Sequence, residues 1–224
     1  MTMSLTRRIA AEFTGTMFLL MAIVGSGIMG ERLAAGNIAL ALLANSIATG
    51  AALVALILTF GPISGAHFNP VVTLTDAWRG GIRWKTVLAY LAAQIGGAFA
   101  GVAIANRMFG EPVFFASTHI RSGSPQLYSE FAATFGLMMV IWGCHRTHRS
   151  ATPYAVACYI TAAYWFTSST SFANPAVTLA RAATNTFAGI RPADTGGFIL
   201  AQLAGAFAAT WFFRWLERPA QPPA

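Results

Sequence analysis

Apolar residues run in six long stretches, roughly residues 9–30, 37–60, 85–106, 126–145, 151–170 and 195–216. Each is near the length of about 20 residues that a helix needs to cross a bilayer, and none alternates with the period of a strand. The pattern predicts six transmembrane helices. Two further apolar pieces, 63–77 and 171–183, are too short to cross, and each holds an Asn-Pro pair. Asparagine is a good helix N-cap, and proline suits the first turn, where its missing N–H had no partner anyway. Each piece therefore predicts a short helix starting abruptly at Asn69 or Asn174 and re-entering the membrane.

Composition strengthens the membrane reading. Of 224 residues, 56% are hydrophobic and 9% charged, against about a quarter charged in a soluble domain. Such a chain lacks the side chains to cover a water-facing surface, so lipid is the expected solvent. The net charge is +7, with Lys85 the only lysine among 14 basic residues. These residues sit singly or in small groups between apolar runs rather than in one stripe, which argues against nucleic acid. The positive-inside rule accounts for them. With the N-terminus inside, Arg7, Arg8, Arg79, Arg83, Lys85, Arg146, Arg149, Arg214 and Arg218 lie inside, and Arg32, Arg107, Arg121, Arg181 and Arg191 lie outside. Both termini are then expected in the cytoplasm, and the two short helices enter from opposite faces. Arg7 and Arg8 read as the anchor of a first span rather than as a secretory leader. The connectors are short, so no second domain and no disordered tail beyond 219–224 is expected. His145 and His148 mark a connector, and Cys144 and Cys158, without metal spacing, are expected to pack.

The chain also repeats itself. Ala11-Glu12-Phe13 opens the first span and Ser129-Glu130-Phe131 the fourth. Asn69-Pro70-Val71-Val72-Thr73-Leu74 matches Asn174-Pro175-Ala176-Val177-Thr178-Leu179, and Gln94-Ile95-Gly96-Gly97-Ala98-Phe99 matches Gln202-Leu203-Ala204-Gly205-Ala206-Phe207. Three matches in one order, at offsets of 118, 105 and 108 residues, indicate duplicated halves. Three spans per half invert the second half in the membrane, the arrangement in which half-helices meet near the midplane. Glu12 and Glu130 can be read as a proton relay or ion site. The reading preferred here is that each satisfies backbone N–H groups of the non-helical chain leading to a half-helix. His67 is expected to brace the same loop.

Ser64-Gly65-Ala66-His67-Phe68-Asn69-Pro70-Val71-Val72-Thr73 resembles the first signature of the aquaporin, or major intrinsic protein, family, and Asn174-Pro175-Ala176 resembles the second. The Glu12, Glu130, Gln94 and Gln202 segments resemble the family as well. The resemblance implies an all-α membrane protein: six transmembrane helices plus two re-entrant half-helices in an inverted-repeat fold. It implies one channel domain over 1–224 with pseudo-repeats of about 1–113 and 114–224, in the inner (plasma) membrane, assembled as a homotetramer. Asn69, Pro70 and Val71 would meet Asn174, Pro175 and Ala176 at the pore centre. There the positive ends of both half-helices and two side-chain amides face whatever passes.

The resemblance also places a narrow ring outside that centre, formed by Thr49, Ala162, Ser171 and Val177. The family norm at the last position is arginine. Thr178 stands where glycerol-permeable members tend to have aspartate, and Val71 replaces an alanine. Four small side chains imply a wide, arginine-free ring, similar to that of the bacterial AqpS-type channels linked to arsenic resistance. The solutes implied are arsenite and related trivalent arsenicals, methylated ones included, with glycerol and water; urea and ammonia stay open. Arsenite at neutral pH is mostly an uncharged hydroxide and crosses a polar-lined pore without charge desolvation. With no ring arginine, cation exclusion is left to the half-helix ends and dehydration. Arg181, one turn beyond Val177, is expected to line the outer vestibule or to pair with Asp194 or Glu111 rather than to replace the arginine. An ion-coupled transporter and a closed, adhesive scaffold are the competing classes. No nucleophile–base pair, metal cluster or phosphate loop points to an enzyme, and no cofactor is expected.

Overall fold

A computed structural model describes residues 3–218 of the chain. The tail at 219–224 lies outside the described residues. Eight α-helices follow in order: α1 Leu5–Leu33, α2 Ile38–Ser64, α3 Pro70–Trp78, α4 Trp84–Met108, α5 Ser124–Thr147, α6 Thr152–Phe166, α7 Pro175–Arg181 and α8 Thr195–Leu216. Among the described residues there is no strand. Five helices, α1, α2, α4, α5 and α8, are long and apolar enough to cross a membrane. Large apolar side chains such as Leu88, Leu200 and Trp211 are exposed on the outside, where a soluble fold would show charge.

The fifth expected span needs correction. The apolar run 151–170 does not form one helix: α6 has 15 residues, about 22 Å at 1.5 Å per residue. It stops at Phe166 because Thr167 turns extended and its hydroxyl caps the Ala163 carbonyl at 2.7 Å. The Ser/Thr-rich chain that follows is loop, already committed to α7. A 3-10 turn, Arg149–Ala151, lengthens the other end.

The two halves pack alike. In the first, α1 lies against α2 and α4; in the second, α5 lies against α6 and α8. The half-helices α3 and α7 each pack against both α4 and α8. The repeated glycines explain the close crossings. A side chain at Gly97 would run into the Phe13 carbonyl, and one at Gly205 into the Phe131 carbonyl. Small residues let helix backbones approach this way in lipid, where no hydrophobic force draws helices together. Both described ends of the chain sit on one face: Arg8 Nε donates to the Tyr90 hydroxyl at 2.8 Å, and Arg79 pairs with Glu217 at 2.6 Å. Cys158, expected to pack, is exposed on the outer face of α6, and Cys144 is half-buried; both are free thiols.

Candidate functional site: a cavity between two half-helices

Asn69 caps α3 and Asn174 caps α7, each through its side-chain oxygen. Asn69 Oδ1 accepts from the Val71 N–H at 3.1 Å, and Asn174 Oδ1 accepts from the N–H groups of Ala176 and Val177 at 3.0 and 3.3 Å. The side-chain amides then cross-brace the halves. Asn69 Nδ2 donates to the Ala173 carbonyl and Asn174 Nδ2 to the Phe68 carbonyl, both at 2.8 Å. Each amide keeps a second N–H, and both asparagines line the central cavity. Pro70 and Pro175 open their helices, and Val71 and Ala176, both fully buried, pack behind the caps.

The backbone leading into each cap is strained in the same way. Ala66 and Phe68 sit at φ +49°, and Ser171 and Ala173 at +51° and +48°. Left-handed geometry is uncommon for residues with a side chain and persists only where the surroundings impose it. Here the buried carboxylates impose it. Glu12 accepts from the Ser64 hydroxyl (2.7 Å), the N–H groups of His67 (3.0 Å) and Phe68 (2.8 Å), and Gln94 Nε2 (2.8 Å). Glu130 accepts from the Ser169 hydroxyl (2.6 Å), the N–H groups of Phe172 and Ala173 (2.9 Å each), and Gln202 Nε2 (2.6 Å). Four donors occupy the lone pairs of each carboxylate. Gln94 and Gln202 also donate to the Thr73 and Thr178 hydroxyls at 2.8 Å, tying each loop to its half-helix. His67 adds a contact between Nδ1 and the Thr73 hydroxyl at 3.1 Å, and its Nε2 lies 3.7 Å from Asp76.

A cavity of about 750 Å³ runs along these loops. On the face of the chain ends it is lined by Asp76, Trp142, His145 and Arg149; toward the other face by Thr49, Tyr164, Val177 and Arg181. Thr49, Ser171 and Val177 therefore line the cavity together, and all three are almost fully buried. The Ser171 hydroxyl has no protein partner among the described residues.

Ala162 does not join them. It is exposed on the outer face of α6 and lies off the cavity. The reason is helical phase. Ile160 and Tyr164, four residues apart, share the inward face, whereas a residue two positions from either points the opposite way. Tyr164, 3% exposed, takes the place instead, with its hydroxyl 3.2 Å from Thr49 Oγ1. The ring is thus not four small side chains. The signal for Tyr164 was present in the spacing of Val156, Ile160 and Tyr164, all buried.

Arg181 lines the cavity but makes neither of the ion pairs expected as its alternative. It pairs with neither Asp194 nor Glu111: Asp194 is held by Arg191 at 2.7 Å and Glu111 by Arg32 at 2.8 Å. Its Nε donates to the Ala188 carbonyl, and its guanidinium carbon lies 3.4 Å from the centroid of the Phe172 ring. Arg121, which nothing in the sequence singled out, steadies the same region. Its side chain donates to the carbonyls of Gly189 (2.8 Å) and Ser169 (3.2 Å), and its guanidinium carbon lies 5.0 Å from the Phe172 centroid.

Comparison with known proteins agrees with this geometry. The family model described as Major intrinsic protein matches residues 1–167. "Aquaglyceroporin AqpS" of Rhizobium meliloti (strain 1021) is 54% identical over 218 residues, covering 97% of this chain and 93% of that protein. "Aquaporin NIP1-3" of Oryza sativa subsp. japonica is 34% identical over 146 residues, 64% of this chain and 50% of that protein. The X-ray structure of the aquaglyceroporin from Plasmodium falciparum superposes with a TM-score of 0.73 at 20% identity, covering 94% of this chain and 96% of that one, a likeness of fold. The chain is accordingly an integral membrane channel protein and not an enzyme: it belongs to the major intrinsic protein family.

Proposed function

We propose that this chain is a passive channel for small uncharged solutes whose cargo includes trivalent arsenicals such as arsenite, methylated forms among them, alongside glycerol and water. The observation that carries the reading is Val177 lining the cavity beside Thr49 and Ser171, with no arginine side chain at that level of α7. An apolar side chain there leaves room for solutes bulkier than water, and the threonine and serine hydroxyls give a hydroxylated solute partners. Neutral hydroxides cross such a lining without the penalty paid by ions. The relative named as an aquaglyceroporin supports the solute class.

The unit of function is one channel domain made of two pseudo-repeats, about 1–113 and 114–224. It sits in the inner (plasma) membrane with both termini cytoplasmic and assembles as a homotetramer. Basic residues near the helix ends on the face of the chain termini support that orientation. No cofactor is required by the reading. An ion-coupled transporter is disfavoured because Glu12 and Glu130 have their oxygens taken by loop donors, leaving no free acceptor for a coupling ion. A water, glycerol and urea facilitator without an arsenic role differs in one measurement. Proteoliposomes holding the purified chain are exposed to arsenite, a methylated trivalent arsenical, glycerol and water. Uptake of both arsenicals above that of protein-free vesicles is expected; glycerol and water flux with arsenical uptake at the protein-free level removes the arsenical reading.

A further inference from the structure

Arg181 is among the largest fully buried side chains of the protein, yet it takes part in none of the ion pairs among the described residues. Three carboxylates on its side of the molecule are engaged elsewhere. Glu130 holds the loop 169–173, Asp194 holds Arg191 and the Arg121 N–H, and Glu111 holds Arg32. One guanidinium N–H reaches the Ala188 carbonyl; among the described residues the others make no hydrogen bond to protein. A buried charge without a counter-ion is costly in a membrane fold unless it faces water or a permeating species. Arg181 does face one, because it lines the cavity. Its position is fixed from behind by the Phe172 ring, whose backbone N–H is tied to Glu130. It is four residues beyond Val177, which puts it on the same face of α7, about 6 Å farther along the axis.

We propose, resting on the channel reading above, that Arg181 is the charge filter of this pore: an unpaired guanidinium that repels cations and donates hydrogen bonds to hydroxyl-bearing neutral solutes, one helical turn outside the ring of Thr49, Ser171 and Val177. Size and charge are then selected by different residues: Thr49, Tyr164, Ser171 and Val177 set the width, and Arg181 sets the sign from the next turn of α7, its guanidinium held against Phe172. A pore arranged this way admits broad neutral solutes while still excluding cations, which a wide ring guarded only by half-helix ends would exclude less well.

The test uses the full chain in proteoliposomes and reads the ratio of K⁺ to glycerol permeability. The native protein is expected to pass glycerol and to hold K⁺ at the level of protein-free vesicles. Arg181→Gln is expected to raise the ratio at least tenfold, and Arg181→Lys, which keeps the charge, to leave it low. Val177→Glu provides an independent arm. A carboxylate one turn away neutralises the guanidinium in place without removing the Arg181 contact to Ala188, and it is expected to raise the ratio as well, so the test stands even if Arg181→Gln fails to fold. K⁺ flux through the native protein, or a native ratio in folded Arg181→Gln or in Val177→Glu, overturns the proposal. Absence of glycerol flux in the native protein instead removes the channel reading, and the proposal with it.

Discussion

The Thr49 and Tyr164 hydroxyls meet at 3.2 Å, both side chains almost fully buried, and so join α2 to α6 at the wall of the cavity. Tyr164, not Ala162, is the α6 side chain that lines the cavity beside Thr49. Tyr164→Ala is therefore expected to raise the flux of a methylated arsenical relative to water several-fold. Ala162→Phe, on the outer face, is expected to leave that ratio as it is. Uptake of both solutes by matched proteoliposomes checks the pair; the opposite pattern restores Ala162 to the ring.

Glu12 and Glu130 are expected to behave as structural twins. Glu12→Gln and Glu130→Gln each set an amide N–H₂ against donors that formerly met a carboxylate. The cost is on the order of 2–4 kcal/mol, since buried N–H groups lose charged acceptors. Thermal unfolding in detergent is the readout, with similar drops for both variants. If either variant keeps native stability but loses flux, the residue acts in transport and not in holding its loop.

Val177→Arg is expected to cut the flux of the bulkiest solute several-fold while water passes. The new guanidinium adds bulk and donors at the ring, and it stands one turn from Arg181, a like-charge spacing that costs a few tenths of a kcal/mol in a helix. Paired uptake of water, glycerol, arsenite and a methylated arsenical at equal expression measures it. Unchanged uptake of the largest solute contradicts the open-ring account.

Gly97→Val and Gly205→Val are expected to lower the folded yield sharply, because each new side chain meets a backbone carbonyl of the facing helix. Size-exclusion profiles report this directly; a monodisperse peak for both variants shows that the crossings can relax.

Most of the half-helix machinery was legible in the chain, because its signals are local and duplicated. An Asn-Pro pair dictates where a helix starts whatever surrounds it, and Glu12 and Glu130 announce a need for buried donors. The end of α6 was harder. Apolar residues run to Phe166 and resume at Phe172, and only the Thr167-Ser168-Ser169-Thr170-Ser171 run between them, rich in groups that bond their own backbone, marks the break. Placing Ala162 in the ring failed because a count back from Asn174 takes no account of which face of α6 turns inward. The contacts of Arg181 and Arg121 were illegible for another reason: their partners are Phe172 and carbonyls of distant loops, and a backbone acceptor leaves no trace in a sequence.

The most direct test of the central claim is stopped-flow light scattering on proteoliposomes of the native chain, challenged with an inward glycerol gradient and with identical salt and pH on both sides. The account predicts swelling well above that of protein-free vesicles, and no faster when an inward Na⁺ or H⁺ gradient is then imposed. Swelling that requires a Na⁺ or H⁺ gradient, or none above protein-free vesicles, contradicts it.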